Sequence, residues 1–489
     1  MSGLPVVLCV AEKPSLAASI AGFLSEGKHR SRRGGQEVHE FERDFNGARC
    51  HFKVTAVIGH VLSIDFPAKF QSWDLDPAIL FDAPVQKKEA TPKARVVEHL
   101  EREAKGASHL ILWLDCDREG ENICFEVIDA CAPVMRPNRG DTFVHRAKFS
   151  AVSKESIERA MRTLGAPNRD EALAVDARQE LDLKVGVAFT RFQTRFFQGR
   201  YSHLDASVIS YGPCQTPTLN FAVQRHLEIV SHTPEDFWSL HVEVRSASLG
   251  KTLVTRWERE RVFDADVGEM FRSMVAGDQH ALVESVEETE EFKRRPAGLN
   301  TVDLLKAASA GMGMGAHRAM QVAERLYIQG FISYPRTEST AYPPGFDLKG
   351  TLKAQRGHPD WGEWVEELLA GSMTKPRGGK DEGDHPPITP VRSATESALG
   401  GGEAWRLYDF VARHFIASVS PDCVYVSRRA TLVAGGERFR VSGQTVIAPG
   451  WTTVMPHRAV EDNPLGEIER GESLPIATVE LRQGATSPP

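Results

Sequence analysis

At 489 residues the chain is too long for a single hydrophobic core, and it implies roughly three or four domains. Its 41% apolar and 26% charged content is that of a globular protein, and no run approaches the ~20 apolar residues that span a bilayer, which excludes a membrane-spanning chain. A net charge of −7 argues against wholesale electrostatic capture of nucleic acid, so any such function must rest on local clusters of cations. Seven cysteines without a Cys-x-x-Cys pair argue against a disulfide framework and a zinc site, and point to a reducing compartment.

Residues 6–10 are apolar and lack a basic leader, so they read as a buried first strand rather than a signal peptide. Ser15 is the expected cap of the following helix, in which Leu16, Ile20, Phe23 and Leu24 recur at helical spacing. Residues 110–114 form a second apolar strand and 122–130 its helix, so 6–150 reads as α/β. Glu12, Asp115, Asp117 and Glu119 then all follow the C-terminal ends of strands, where open α/β sheets place ligands.

From Ser153 to about Ser210 the pattern is helical and charged. Between Leu183 and Tyr201 the only charges are Lys184, Arg191, Arg195 and Arg200, interleaved with Phe189, Phe192, Phe196 and Phe197. The plain reading is an amphipathic helix with its phenylalanines in the core and its arginines in solvent, where they are free to meet phosphates. After Pro217 one more helix reaches Ile229, and residues 237–244, 252–257 and 281–286 alternate as strands do. Arg294-Arg295-Pro296 opens a helical segment ending near Gly400, interrupted by a glycine-rich loop over 373–384. A helix over 403–419 and β-like segments over 423–481 complete the chain.

Asp115-x-Asp117-x-Glu119 together with Glu12 supplies four hard oxygen ligands of the kind Mg²⁺ takes, and like charges this close need a cation to stay ionised. The same acids fit the spacing of an EF-hand loop, but a strand precedes them where that motif needs a helix. Gly22 to Lys28 and Gly250-Lys251-Thr252 imitate phosphate loops without the required residues, so no ATP site is expected.

Tyr334, with Pro335 and Arg336 after it, pairs a nucleophile with a cation. A phenol with a pKa near ~10 is a poor nucleophile at neutral pH unless a cation stabilises it and the phosphate it attacks. In an extended segment Tyr334 and Arg336 would face one groove. The run Gly330-Phe331-Ile332-Ser333-Tyr334-Pro335-Arg336-Thr337-Glu338-Ser339 resembles the active-site segment of the type IA DNA topoisomerases, most closely the eukaryotic topoisomerase III, beta-type, branch. Leu299-Asn300-Thr301-Val302-Asp303-Leu304-Leu305 and Ala323-Glu324-Arg325-Leu326-Tyr327 are similar to the same family's approach to its tyrosine. Ala11-Glu12-Lys13-Pro14-Ser15 and Asp115-Cys116-Asp117-Arg118-Glu119-Gly120 resemble its metal-binding Toprim domain. Asp176 to Asp182, Gly212 to Pro217 and Asp384-His385-Pro386-Pro387-Ile388 match further segments, so the resemblance runs from residue 6 to about 480.

The resemblance implies an α/β and α+β multidomain fold: a Rossmann-like Toprim domain over 1–152, the first half of a helical DNA-binding domain over 153–216, a β-rich arch over 217–290 and 405–489, and a helical tyrosine domain over 291–404. Together these would form a toroidal core whose further C-terminal helices the chain lacks. It implies ATP-independent breakage and rejoining of single-stranded DNA, relaxing or decatenating it, with RNA as a further substrate. Tyr334 would attack a phosphate and Arg336 would stabilise the transition state. Lys13 would contact the scissile phosphate, and Glu12 would return a proton to the 3′ oxygen. Glu12, Asp115, Asp117 and Glu119 would hold Mg²⁺, with no zinc. His385, Arg178, Asp182 and Gln215 would bind or orient DNA near the cut, with Lys184, Arg191 and Arg195 as further contacts. A RecQ-type helicase or a Tudor-domain protein is the implied partner, and the nucleus, with the cytoplasm second, the implied location. Two other readings stay open: a nuclease using the carboxylates alone, and a strand-binding fragment without catalysis. For Arg178 and Asp182, at i and i+4, an ordinary helix salt bridge is the competing explanation.

Overall fold

The computed structural model describes residues 4–33, 35–137, 142–201, 203–246, 250–383 and 385–489; Asp384, part of the motif before Ile388, lies outside the described residues. The chain divides into two compact units, one of residues 1–217, 297–359 and 378–415, the other of 218–296, 360–377 and 416–489.

The first unit opens with β1 (Val6–Ala11), α1 (Pro14–Leu24), β2 (Arg30–Arg32), β3 (Val38–Phe45), β4 (Ala48–Ala56), β5 (Leu62–Asp65), β6 (Gln86–Glu89) and α2 (Val96–Ala104). It continues through β7 (His109–Trp113), α3 (Arg118–Cys131), β8 (Val144–Arg146), α4 (Lys154–Arg162) and the 29-residue α5 (Arg169–Phe197). Six strands form one sheet in the order β2-β3-β4-β1-β7-β8, with β1 parallel to both β4 and β7. A parallel strand covered on both faces needs a continuous apolar run, and Val7, Leu8, Cys9, Val10 and Ala11 are all fully buried.

Two helix starts differ from expectation. Ser15 does not cap α1: Pro14 takes the first helical position and Lys13 the cap position, without a side-chain bond. Proline's fixed φ suits that position, so the helix begins one residue before the hydroxyl could cap it. α3 starts at Arg118 rather than 122, because Asp117 caps it by accepting from Gly120 N at 2.7 Å.

α5 departs from the reading of arginines outward and phenylalanines inward at Arg191 and at three of its phenylalanines, while Arg195 stays exposed. Arg191 is buried and donates to the carbonyls of Phe70, Ser72 and Gln71 at 3.0, 2.9 and 3.1 Å, whereas Phe189, Phe192 and Phe196 stay exposed. A guanidinium fork satisfies the orphan carbonyls that end a short helical turn, here residues 68–70, better than an aromatic ring does. Arg191 is therefore engaged within the protein, its guanidinium spent on backbone carbonyls.

Downstream come α6 (Gln215–Ser231), β9 (Asp236–Ser246), β10 (Lys251–Val254), β11 (Arg256–Trp257), α7 (Ala265–Ala276) and β12 (His280–Lys293). Next are α8 (Thr301–Met312), α9 (Ala316–Ile328), α10 (Leu348–Lys353), α11 (Gly362–Glu367), α12 (Gly402–Ser418), β13 (Cys423–Ala434), β14 (Glu437–Ala448) and β15 (Ser473–Ala485). The second unit is built on a seven-stranded sheet ordered β10-β9-β15-β12-β13-β14-β11, whose core includes Val242, Val244, Trp257, Leu432 and Phe439. β12 runs well past the apolar stretch at 281–286. Its acidic second half pairs across the ladder with arginines, Glu287 opposite Arg429 and Glu288 opposite Arg428, so charge complementarity extends a strand that alternation cannot reveal.

Candidate active site

The acidic edge follows from the sheet register. Ala11 pairs with Trp113, so Glu12 and Asp115 emerge together at the C-terminal ends of neighbouring parallel strands. Glu12 Oε2 accepts from Asp115 N at 3.1 Å, and Lys13 Nζ lies 3.6 Å from Glu12 and 3.7 Å from Asp115. The chain then turns back into α3 over Gly120, where an added Cβ would lie 1.9 Å from Asp115 O. Gly120→Ala must therefore displace the Asp115 turn. A loss of about 1–3 kcal/mol is expected in chemical unfolding, and an unchanged midpoint would show that the turn has slack.

Beneath this turn lies a tie that local sequence does not signal. Arg146, fully buried, donates to Leu112 O, Leu114 O, Ala147 O and Asp115 O, and its Nε reaches Glu121 Oε1 at 2.8 Å. Glu121 Oε2 in turn accepts from Asn168 N at 2.8 Å.

Tyr334 reaches the acids from a coil segment after α9, all within the first unit. Gly330 ends the helix with a φ of +73°, and a Cβ there would stand 2.6 Å from Val152 O. Beyond it Ile332 bridges Pro390, Ser333 N donates to Thr389 O at 2.9 Å, and Tyr334 N donates to Ser150 O at 2.9 Å. The tyrosine is buried and its Oη donates to Asp117 Oδ2 at 2.5 Å. Its ring packs against His385 at 4.4 Å and edge-on to Tyr327 at 5.1 Å, while Tyr327 Oη donates to Asp115 Oδ1 at 3.2 Å.

Electrostatics here oppose negative charge. Burial, with Glu12 adding to it, pushes the Asp115 carboxyl up to about 7. Burial and the charges of Asp115 and Asp117 hold the Tyr334 phenol well above its ordinary value. A phenolate at this position requires added positive charge.

The remaining candidates lie around this centre. Glu119 points outward, accepting from Arg178 Nη2 at 2.6 Å and lying 3.1 Å from His60 Nε2. The ordinary i,i+4 pair is also present, Arg178 Nη1 donating to Asp182 at 3.0 Å, so Arg178 joins the acidic edge to α5. His60, absent from the sequence reading, bridges Glu119 and Glu126, and those two acids, Glu126 foremost, hold it above its ordinary value. Arg336 donates to Glu324 from Nε at 3.1 Å and from Nη2 at 2.5 Å, so the guanidinium is carried by α9 as well as by its own loop. Lys184 pairs with Glu180 at 2.8 Å, Arg195 donates to Leu75 O at 3.0 Å, and Gln215 opens the exposed α6. The structure thus gathers Tyr334, Glu12, Lys13, Asp115, Asp117 and His385, with Glu119 and Arg178 beside them, and gives Lys184, Arg191 and Arg195 partners within the protein.

Among the described residues no three carboxylate, imidazole or thiol groups converge as the ligands of one metal ion would. The side chains show why: Tyr334 and Gly120 hold Asp117, Tyr327 holds Asp115, and Arg178 and His60 hold Glu119. In donor chemistry the set still suits a hard cation, being all oxygen and carrying more negative charge than Lys13 offsets.

Residues 7–151 match the family described as Toprim domain, and residues 166–489 the family described as DNA topoisomerase. Similar curated proteins include DNA topoisomerase 3-beta of Arabidopsis thaliana, 54% identical over 100% of this chain and 56% of its own length. DNA topoisomerase 3-beta-1 of Homo sapiens is 50% identical over 99% of this chain and 57% of its own. The chain thus spans little more than half the length of these relatives. Full-length topoisomerase I from Thermotoga maritima shares the fold, with a TM-score of 0.72 at 21% identity, covering 99% of this chain and 72% of that one.

Proposed function

The chain belongs to the type IA DNA topoisomerases, and on that premise we propose that it cleaves single-stranded DNA transiently, passes a strand through the break and religates it without ATP. Tyr334 Oη gives up its proton to Asp117, to which it is hydrogen-bonded, and attacks a backbone phosphorus; the bond to the 3′ oxygen breaks, leaving the enzyme on the 5′ phosphate and a free 3′ hydroxyl. The observation that carries this reading is the 2.5 Å bond from Tyr334 Oη to Asp117, because it joins the nucleophile to the acidic edge across more than two hundred residues of sequence. The phosphotyrosine conserves the energy of the broken phosphodiester, so religation needs no cofactor to drive it.

Lys13 and Arg336 supply cationic charge to the phosphate, and Glu12 returns a proton to the leaving 3′ oxygen. His385 packs on the Tyr334 ring and restricts its rotation. Arg178 and Asp182, with Gln215, orient the strand near the cut. Glu12, Asp115, Asp117 and Glu119 would hold Mg²⁺, which when bound would neutralise the acids and steady the strand for religation. We assign no role to zinc. The division into domains at 1–152, 153–216, 217–290 with 405–489, and 291–404 belongs to the same proposal. So do RNA as a second substrate, a RecQ-type helicase or Tudor-domain partner, and nuclear residence with some cytoplasmic presence, all of which rest on the family. No helix among the described residues is long and apolar enough to cross a membrane.

Arg336→Ala tests the electrostatic part. Adduct formation on an end-labelled oligonucleotide should slow by about 10²-fold while the nucleophile stays in place. Cleavage at the wild-type rate would assign Arg336 to packing alone.

A further inference from the structure

Tyr334 and Arg336 lie on coil, and besides Asp117 and His385, which meet the tyrosine from elsewhere, each is met by a side chain from the same face of one helix. Glu324 and Tyr327 are three residues apart on α9 and therefore neighbours on its surface. Glu324 Oε1 receives both Nε and Nη2 of Arg336. Tyr327, buried, directs its hydroxyl at Asp115 Oδ1 and its ring at that of Tyr334. The helix is fixed in turn: Ala319, Val322, Ala323 and Leu326 are buried, and Gly330 N and Phe331 N donate back to Tyr327 O at 2.8 Å and Leu326 O at 2.9 Å. A rigid link of a few residues thus sets the path from Tyr327 to Tyr334.

We propose that Glu324 and Tyr327 are positioning residues for strand cleavage. Tyr327 fixes the Asp115 carboxylate and one edge of the Tyr334 ring, and Glu324 keeps the Arg336 guanidinium near the phenol until a phosphate arrives. Both act through another residue: Tyr327 through Asp115 and Tyr334, Glu324 through Arg336. The phenylalanine that would pack a core equally well lacks the hydroxyl that steers Asp115, and a free Arg336 on an exposed loop would sample many rotamers before finding the phosphate. The inference rests on the cleavage reading, but its geometry can be tested apart from activity.

The test uses Tyr327→Phe and Glu324→Gln, both nearly isosteric. In each, single-turnover formation of the 5′-linked adduct should slow by about tenfold, with oligonucleotide affinity within about twofold of wild type. In protein labelled with [ζ-¹³C]tyrosine, the Tyr334 resonance, assigned by its absence in Tyr334→Phe, should shift in both variants. An unmoved resonance, or an adduct rate within about twofold of wild type, would overturn the proposal. If wild type forms no adduct, the cleavage reading fails by itself and the carbon resonance alone decides whether α9 positions the tyrosine.

Discussion

Tyr334→Phe is expected to abolish the denaturation-resistant protein–DNA adduct, a loss on the order of 10³-fold or more, while leaving the fold intact. The substitution removes one oxygen, and the ring keeps its contacts with Tyr327 and His385. Asp117 loses a donor, but its other oxygen remains bonded to Gly120 N, so the stability change should stay within about 1 kcal/mol. The measurement is single-turnover cleavage of an end-labelled oligonucleotide with Mg²⁺, read on a denaturing gel, beside a thermal melt. A Tyr334→Phe protein that still cuts and leaves free 5′ ends would favour a nuclease built on the carboxylates alone.

The second large effect concerns the support of the acidic edge. Arg146→Met should cost about 3–5 kcal/mol, because it strands the buried Glu121 carboxylate and releases the carbonyls of Leu114 and Asp115 that shape the β7–α3 turn. The double change Arg146→Met with Glu121→Leu should recover much of that loss, since no unpaired charge then remains buried. Urea unfolding followed within the first unit, for example by hydrogen exchange at β7, would read both. A single variant within about 1 kcal/mol of wild type would mean that water reaches the pair and that the tie is weaker than its geometry suggests.

What the sequence revealed, and what it hid, divides along physical lines. β1 and β7 were legible because strands buried on both faces have no choice but an apolar run, and the four acids follow from where those strands stop. The Tyr334 run was legible by resemblance, and its non-helical course by Pro335. The face of α5 was not: interleaved arginines and phenylalanines fit either orientation, and the deciding partner, a row of carbonyls at 70–72, is more than a hundred residues away. Arg146 with Glu121 and His60 with Glu119 escaped for the same reason, since only the fold pairs them. Glu324 and Tyr327 stand inside the run Ala323-Glu324-Arg325-Leu326-Tyr327, where spacing alone does not say what each holds. Asp117 carries a duty that composition conceals: besides facing Tyr334 it caps α3, so its substitution would disturb helix and chemistry together.

The most direct measurement traps the cleavage complex formed by this polypeptide on single-stranded DNA with Mg²⁺, digests protein and DNA, and maps the linked peptide by mass spectrometry. One nucleotide-bearing peptide is expected, modified on Tyr334 through a 5′ phosphate, with a free 3′ hydroxyl on the released strand. A linkage at Tyr327 or any other residue, a 3′ linkage, or binding without any covalent product would contradict it.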